Sequence, residues 1–211
     1  GRGTKTYVMM CQAKRAGYER QHTALDLHDR KCDQNLARLH KAGISGVRTV
    51  SGDACELDEV LTSFDALLGE PALFDTVFID APCSGTGTMR RHPEIPWRLT
   101  ENDVTCELPK LQLTMLKEAA ARVAAGGELI YATCSVFDEE NTQVVNAFLA
   151  SPEGEGFAVA PLSEAQILQL PEYDHAKSLV TLRQNDRGLF QSVPVNADSY
   201  DGHFCARLVR N

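Results

Sequence analysis

No run of about 18 apolar residues occurs anywhere in this 211-residue chain, so an ordinary membrane-spanning helix is not expected. The opening Gly1-Arg2-Gly3-Thr4-Lys5-Thr6 lacks the apolar core of a secretion signal. No CxxC pair occurs among the seven cysteines, and their number is odd. A disulfide framework and a metal site are therefore not expected, and a reducing cytoplasm is the natural setting. The GxxxxGK[ST] spacing of a phosphate loop is missing, as is the GxGxxG of a dinucleotide fold. Excess positive charge is missing too, the formal net charge being −8. Bulk electrostatic binding of nucleic acid needs clustered Lys and Arg, so such a role would require a local basic patch or a separate domain. Internal repeats and low-complexity segments are absent.

The chain is 43% hydrophobic and 24% charged, a globular composition, and its length suits one domain with a substantial core, residues 1–211. The opening glycine-rich turn leads into a helix around Tyr7. Such a turn can bring backbone N–H groups to a ligand, or be only a disordered terminus. His22 to Leu27 reads as a short strand. Its acid, Asp26, suits a ribose hydroxyl pair or a turn cap. A helix over 30–42 follows, with Cys32, Leu36 and Leu39 inward. Val47 to Val50 is a further strand, and Asp53 beyond it is open between an adenine amino group and a solvated turn. Residues 56–68 form an amphipathic helix.

Thr76 to Ile79 is strand-like and ends in Asp80. Residues 100–125 read as a long helix broken early by Pro109, with Leu111, Met115 and Ala119 inward. Residues 128–133 are strand-like again. The acids of 137–141 suit the first turn of a helix. Residues 157–185 give no readable pattern, while 188–193 and 204–209 alternate as a closing antiparallel pair. Together this is an α/β chain: a mostly parallel sheet with antiparallel terminal strands.

Two stretches rhyme. Phe78-Ile79-Asp80-Ala81-Pro82-Cys83-Ser84-Gly85-Thr86-Gly87 and Leu129-Ile130-Tyr131-Ala132-Thr133-Cys134-Ser135 each place a cysteine just past a strand end. One helical crossover separates them, so their strands can be neighbours and both thiols can lie over one crevice. Reactivity needs a lowered thiol pKa, and Arg90 and Arg91 are close to Cys83 in sequence. Cys11, Cys32, Cys55, Cys106 and Cys205 read as small buried hydrophobes. Met89 to Arg98 is the most cationic spot, with Trp97 beside Arg98. It suits a nucleic-acid backbone and a stacked base, or is a solvated loop whose Trp97 packs on the core.

Asp80-Ala81-Pro82-Cys83-Ser84-Gly85-Thr86-Gly87, then Arg90-Arg91-His92-Pro93-Glu94-Ile95, then Tyr131-Ala132-Thr133-Cys134-Ser135 with Glu140-Asn141, resemble the Sun (Fmu) family of RNA cytosine-5 methyltransferases. Gln112, Gly127-Glu128-Leu129 and the ending Asp201 to Leu208 fit the same pattern, and the likeness covers nearly the whole chain. The resemblance implies a Rossmann-like S-adenosylmethionine-dependent methyltransferase fold acting on cytosine C5 in RNA, ribosomal RNA of the 16S type first, with transfer RNA the competitor. It implies Cys134 as the nucleophile that adds to C6, Cys83 as the residue that assists product release, and Asp80 as the group that holds the cytosine edge and lines the cofactor. It implies Gly1, Gly3, Lys5, Asp26 and Asp53 as further cofactor residues, and Arg90, Arg91 and Arg98 as RNA contacts.

Two departures stand out. The family's glycine loop follows a strand, and this chain starts after it. A longer protein is therefore expected, whose remaining part supplies that strand, next to those of Asp26 and Asp80, and an RNA-binding domain. His203 and Cys205 stand where the family has apolar residues. A non-catalytic RNA-binding or assembly remnant is the reading from another class. A dinucleotide-dependent oxidoreductase ranks last, for want of GxGxxG.

Overall fold

The computed structural model describes residues 3–195 and 200–211. The chain divides into two compact units, Gly1–Pro71 and Ala72–Asn211.

The first unit runs α1 (Thr4–Arg15), β1 (His22–Asp26), α2 (Asp29–Lys41), β2 (Val47–Ser51) and α3 (Leu57–Leu68). β1 and β2 pair in parallel, from His22 opposite Val47 to Asp26 opposite Ser51. The turn into β2 depends on Gly46. It has φ 77°, its carbonyl accepts from His22 N–H at 2.8 Å, and a Cβ there would stand 2.9 Å from the Arg20 carbonyl. Leu39 and Cys32 fill the inner face of α2, as expected, but the third buried residue is Asn35 rather than Leu36. The Cys32 thiol donates to the Val50 carbonyl at 3.3 Å, so this cysteine does pack against the strand end. Cys11 is exposed and is not part of a core.

The second unit runs β3 (Phe74–Asp80), α4 (Leu108–Ala120), β4 (Val123–Thr133), α5 (Thr142–Leu149), β5 (Phe157–Ala160), α6 (Asp174–Arg183), β6 (Phe190–Ser192) and β7 (His203–Arg210). The strand order is β3-β4-β7-β5, with β6 also on β7. β3 and β4 are parallel, ending with Asp80 opposite Ala132. β7 is antiparallel to β4, β5 and β6, so the sheet is mixed. Phe204, Ala206 and Leu208 alternate inward from β7 against Leu129 and Tyr131, and Phe148 closes the same core from α5. His203 is exposed, which removes it from the core.

The long helix expected over 100–125 is shorter. A wide π turn spans Asp103–Glu107, and α4 then runs only to Ala120. Pro109 follows this π turn, and its missing N–H breaks the regular helical ladder there, the early interruption the sequence predicts. Gln112 and Leu116 are fully buried, while Leu111 is exposed and Met115 half-buried. Ala119 is buried as expected, so the inner face departs from the apolar pattern only over the earlier turns, where Gln112 has polar work inside. β4 starts at Val123, ahead of the glycines, with a register shift between Phe74 and Thr76 on its partner. The stretch 157–185 resolves into β5, three short 3-10 turns and α6.

Burial pushes the Cys205 thiol on β7 up to about 12, and burial, with Glu140 nearby, raises the Tyr131 phenol as well. In the unfolded chain these groups ionise near pH 8.5 and 10, so above about pH 8.5 the unfolded state binds fewer protons than the native one. Stability is therefore complete below that pH and declines above it. The urea midpoint is expected to fall between about pH 9 and 11, and Cys205→Ala to flatten the first part of that fall. Identical pH profiles for the two proteins would contradict this.

Candidate active site

The parallel pairing of β3 and β4 brings their carboxyl ends together. Ala81 N–H continues the ladder to the Ala132 carbonyl at 3.0 Å, and the two chains then turn away. Cys83 and Cys134 are the residues at those exits. Their sulfurs lie 3.2 Å apart, and the Cys134 N–H donates to the Cys83 sulfur at 3.3 Å. Asp80, exposed, stands at the end of β3. Cys83, Cys134 and Asp80 therefore gather at one sheet end.

The turn after Cys83 is held from both sides. Gly87 N–H donates to the Cys134 carbonyl and Gly202 N–H to the Gly87 carbonyl, each at 2.8 Å. A Cβ on Gly87 would stand 2.2 Å from the Gly202 carbonyl oxygen, so only glycine fits.

The Cys83 thiol is raised far above its ordinary value, first by its hydrogen bond with Cys134, then by burial and by the charge of Cys134. Two thiolates in contact repel, so Cys83 holds its proton beside its neighbour.

Around the two cysteine turns lies a polar core whose Gln112, Glu140 and Asn141 the resemblance carried without a role. Glu140 is fully buried. One carboxylate oxygen accepts from Ser84 N–H at 2.8 Å and Gln112 Nε2 at 3.0 Å. The other accepts from the Ser84 and Ser135 hydroxyls, each at 2.5 Å. Gln112 Nε2 also donates to the Pro82 carbonyl at 2.9 Å. Asn141 donates to the Ser135 carbonyl at 3.0 Å and accepts from the Thr133 hydroxyl at 2.6 Å. Acids at 138–140 that suited a solvated helix start thus include one turned inward, and α5 begins only at Thr142. The available signal was a hydroxyl directly after each cysteine, Ser84 and Ser135.

The cationic loop is partly neutralised. Arg91 donates to Asp201 through Nε at 2.8 Å and Nη2 at 2.6 Å, and Arg90 lies 3.7 Å from the same carboxylate. Arg91 in turn holds the Asp201 carboxyl below the usual range. Arg98 is exposed, and Trp97 beside it is 90% exposed, so this tryptophan does not pack on the core.

In the first unit, Gly3 is the N-cap of α1, with φ 72° and no side-chain cap. A Cβ there would stand 1.8 Å from the Asn35 Oδ1, a buried oxygen with no hydrogen-bond partner. Lys5 is exposed in the first helical turn. Asp26 and Asp53 follow adjacent parallel strands. Asp26 accepts from His28 N–H at 3.1 Å with Lys31 3.7 Å away. Asp53 accepts from Cys55 N–H at 2.9 Å, a turn-forming bond. Gly1 lies outside the described residues. A helix N-terminus beside two strand-end acids fits a nucleoside carrying a charged tail.

The family described as 16S rRNA methyltransferase RsmB/F matches residues 1–209. A ribosomal RNA small subunit methyltransferase B from Salmonella arizonae is 51% identical over 138 residues, 65% of this chain and 26% of that protein. The Pectobacterium atrosepticum protein of that name is 37% identical over 142 residues, 67% of this chain and 28% of that one. The chain thus spans between 26% and 28% of these relatives' length. The crystal structure of NSun6 from Pyrococcus horikoshii with SFG superposes with a TM-score of 0.72 at 19% identity, covering 99% of this chain and 45% of that one. At that identity the likeness concerns the fold alone, a Rossmann-like α/β methyltransferase fold. With nearly every residue matched and both cysteine turns in place, the chain belongs to the 16S rRNA methyltransferase RsmB/F family.

Proposed function

We propose that the protein methylates cytosine C5 in RNA, small-subunit ribosomal RNA first, using S-adenosylmethionine and a transient cysteine–C6 bond. The observation that carries this reading is the pair of thiols in contact at the ends of two parallel strands. Cytosine C5 is a poor nucleophile until something adds at C6.

The chain's residues divide the work. Asp26 receives the ribose hydroxyls of the cofactor, Asp53 its adenine amino group, and Gly3 and Lys5 its amino-acid end. When bound, S-adenosylmethionine supplies a methyl group on a sulfonium. Cys134 adds its sulfur to C6 as thiolate, forming the S–C6 bond and moving the ring electrons to C5, where the methyl is received. Asp80 holds the cytosine edge, accepting from the N4 amino group and from N3 when that nitrogen takes up a proton, which favours the addition. Once Cys134 is a thioether its sulfur is a weak acceptor without charge, so the hydrogen bond that is the largest cause of the raised Cys83 pKa weakens and the smaller effect of the Cys134 charge is gone. Cys83 can then lose its proton to solvent water and, as thiolate, accept the one on C5. The C5–H electrons restore the C5–C6 double bond, and the C6–S bond breaks to return the Cys134 thiolate. The target base must leave any stack, at about a few kcal/mol, which favours loops.

RNA contact falls to Arg98 and Trp97, with Arg90 and Arg91 joining where a phosphate replaces Asp201. Trp97→Ala is expected to weaken RNA binding by about 1–3 kcal/mol, and Arg98→Ala to reduce the salt slope by about 1. Unchanged titrations for both would remove this loop from the interface. β1 and β3 each have one described strand partner, which supports a further strand supplied by a longer protein, and cysteines without disulfides suit the cytoplasm. No described helix is long and apolar enough to cross a membrane.

The test is transfer of labelled methyl from S-adenosylmethionine to purified small-subunit ribosomal RNA and to transfer RNA, with the product mapped as 5-methylcytosine. Label in the ribosomal RNA alone is expected. Label in transfer RNA reassigns the substrate. Absence of label, with no heat of S-adenosylmethionine binding, favours the non-catalytic remnant.

A further inference from the structure

We infer that Glu140 is a positioning residue, which sets the spacing of the two thiols by binding the residue that follows each of them. This rests on reading Cys83 and Cys134 as the reacting pair. The side chain is fully buried, and a buried carboxylate is retained only where its oxygens are satisfied. Here four donors meet its two oxygens: Ser84 N–H, the Ser84 hydroxyl, the Ser135 hydroxyl and Gln112 Nε2. With its lone pairs engaged it has no capacity left for a substrate.

The donors are not a random set. Ser84 follows Cys83 and Ser135 follows Cys134 directly in the chain. Their two hydroxyls meet on a single carboxylate oxygen. That oxygen ties the two cysteine turns together, and neither turn can shift without stretching a charge-assisted bond. Gln112 extends the grip backward to the Pro82 carbonyl, so the segment Pro82-Cys83-Ser84 is held at both ends. Glu140 is itself fixed, because its own carbonyl accepts from the Tyr131 hydroxyl at 2.5 Å, and Tyr131 is a fully buried residue of β4. The thiols are thus registered against the β4 strand through one carboxylate.

Glu140→Gln removes an acceptor and presents an amide N–H to one pair of donors. A displacement on the order of 1 Å in a reacting group costs about 10²-fold in rate, so kcat is expected to fall by about that factor while the KM for RNA stays within about twofold. The deciding readout is independent of catalysis. Diamide takes up the two thiol hydrogens, becoming the hydrazine, and leaves a disulfide only where two thiols meet. In the folded wild-type protein a Cys83–Cys134 disulfide, identified by peptide mass mapping, is expected to form readily. In Glu140→Gln the rate of that cross-link is expected to drop at least about tenfold, with near-ultraviolet circular dichroism retained.

A Glu140→Gln protein that is folded and cross-links at the wild-type rate overturns the assignment, and so does a wild-type protein that forms no such cross-link. Where Glu140→Gln does not fold, Ser135→Ala decides, since it keeps the Ser84 and Gln112 bonds: slower cross-linking supports the assignment and the wild-type rate overturns it. Slower cross-linking in a protein whose wild type transfers no methyl would leave the positioning role standing and remove the proposed reaction.

Discussion

Cys134→Ala is expected to lower methyl transfer by about 10⁴-fold or more, the scale lost when a covalent nucleophile is deleted. Cofactor and RNA affinity should stay within about threefold, because the thiol acts on the reaction and not on binding. One feature singles out this sulfur rather than its neighbour. The hydrogen bond between the two sulfurs, and then burial, hold the Cys83 thiol protonated, which makes Cys83 a poor thiolate. A Cys134→Ala protein retaining even about a tenth of the wild-type rate would exclude covalent addition by this residue.

Cys83→Ala is expected to separate the two halves of the reaction. The first addition needs Cys134 alone, so one methyl per protein should still be transferred at about the wild-type order of magnitude. Removal of the C5 proton loses its base, a loss worth about 10²- to 10⁴-fold, so turnover should stop after that first event. The protein should then remain bound to RNA through sulfur and migrate as a slow band on a denaturing gel. A Cys83→Ala protein that turns over without any such band would show that another group, or water, accepts the C5 proton.

Much of this site was legible because both cysteines directly follow strand-forming runs. Residue types at strand ends point to one crevice whenever the strands are parallel neighbours, and β3 and β4 are. Asp80, Asp26 and Asp53 were readable for the same reason. Glu140 was not. In sequence it is one of three consecutive acids at what looks like a helix start, and local propensity assigns all three to solvent. Its burial depends on hydroxyls contributed from both cysteine turns, one of them 56 residues away, and no local rule encodes that. Gln112 was carried by the resemblance alone, while the apolar pattern points to its neighbour. Leu111 beside it is the better hydrophobe, yet the interior needed an amide at that place, and the helix turned to supply it. Trp97 shows another case, an aromatic open between a stacked base and the core in sequence and found outside, with Arg98 as its neighbour.

The most direct measurement is the mass map of the protein–RNA adduct trapped with Cys83→Ala. The expected result is a nucleotide attached to the peptide that contains Cys134, with 5-methylcytosine as the attached base. A nucleotide on any other cysteine, or methylated RNA formed with no adduct at all, would contradict the proposed reaction.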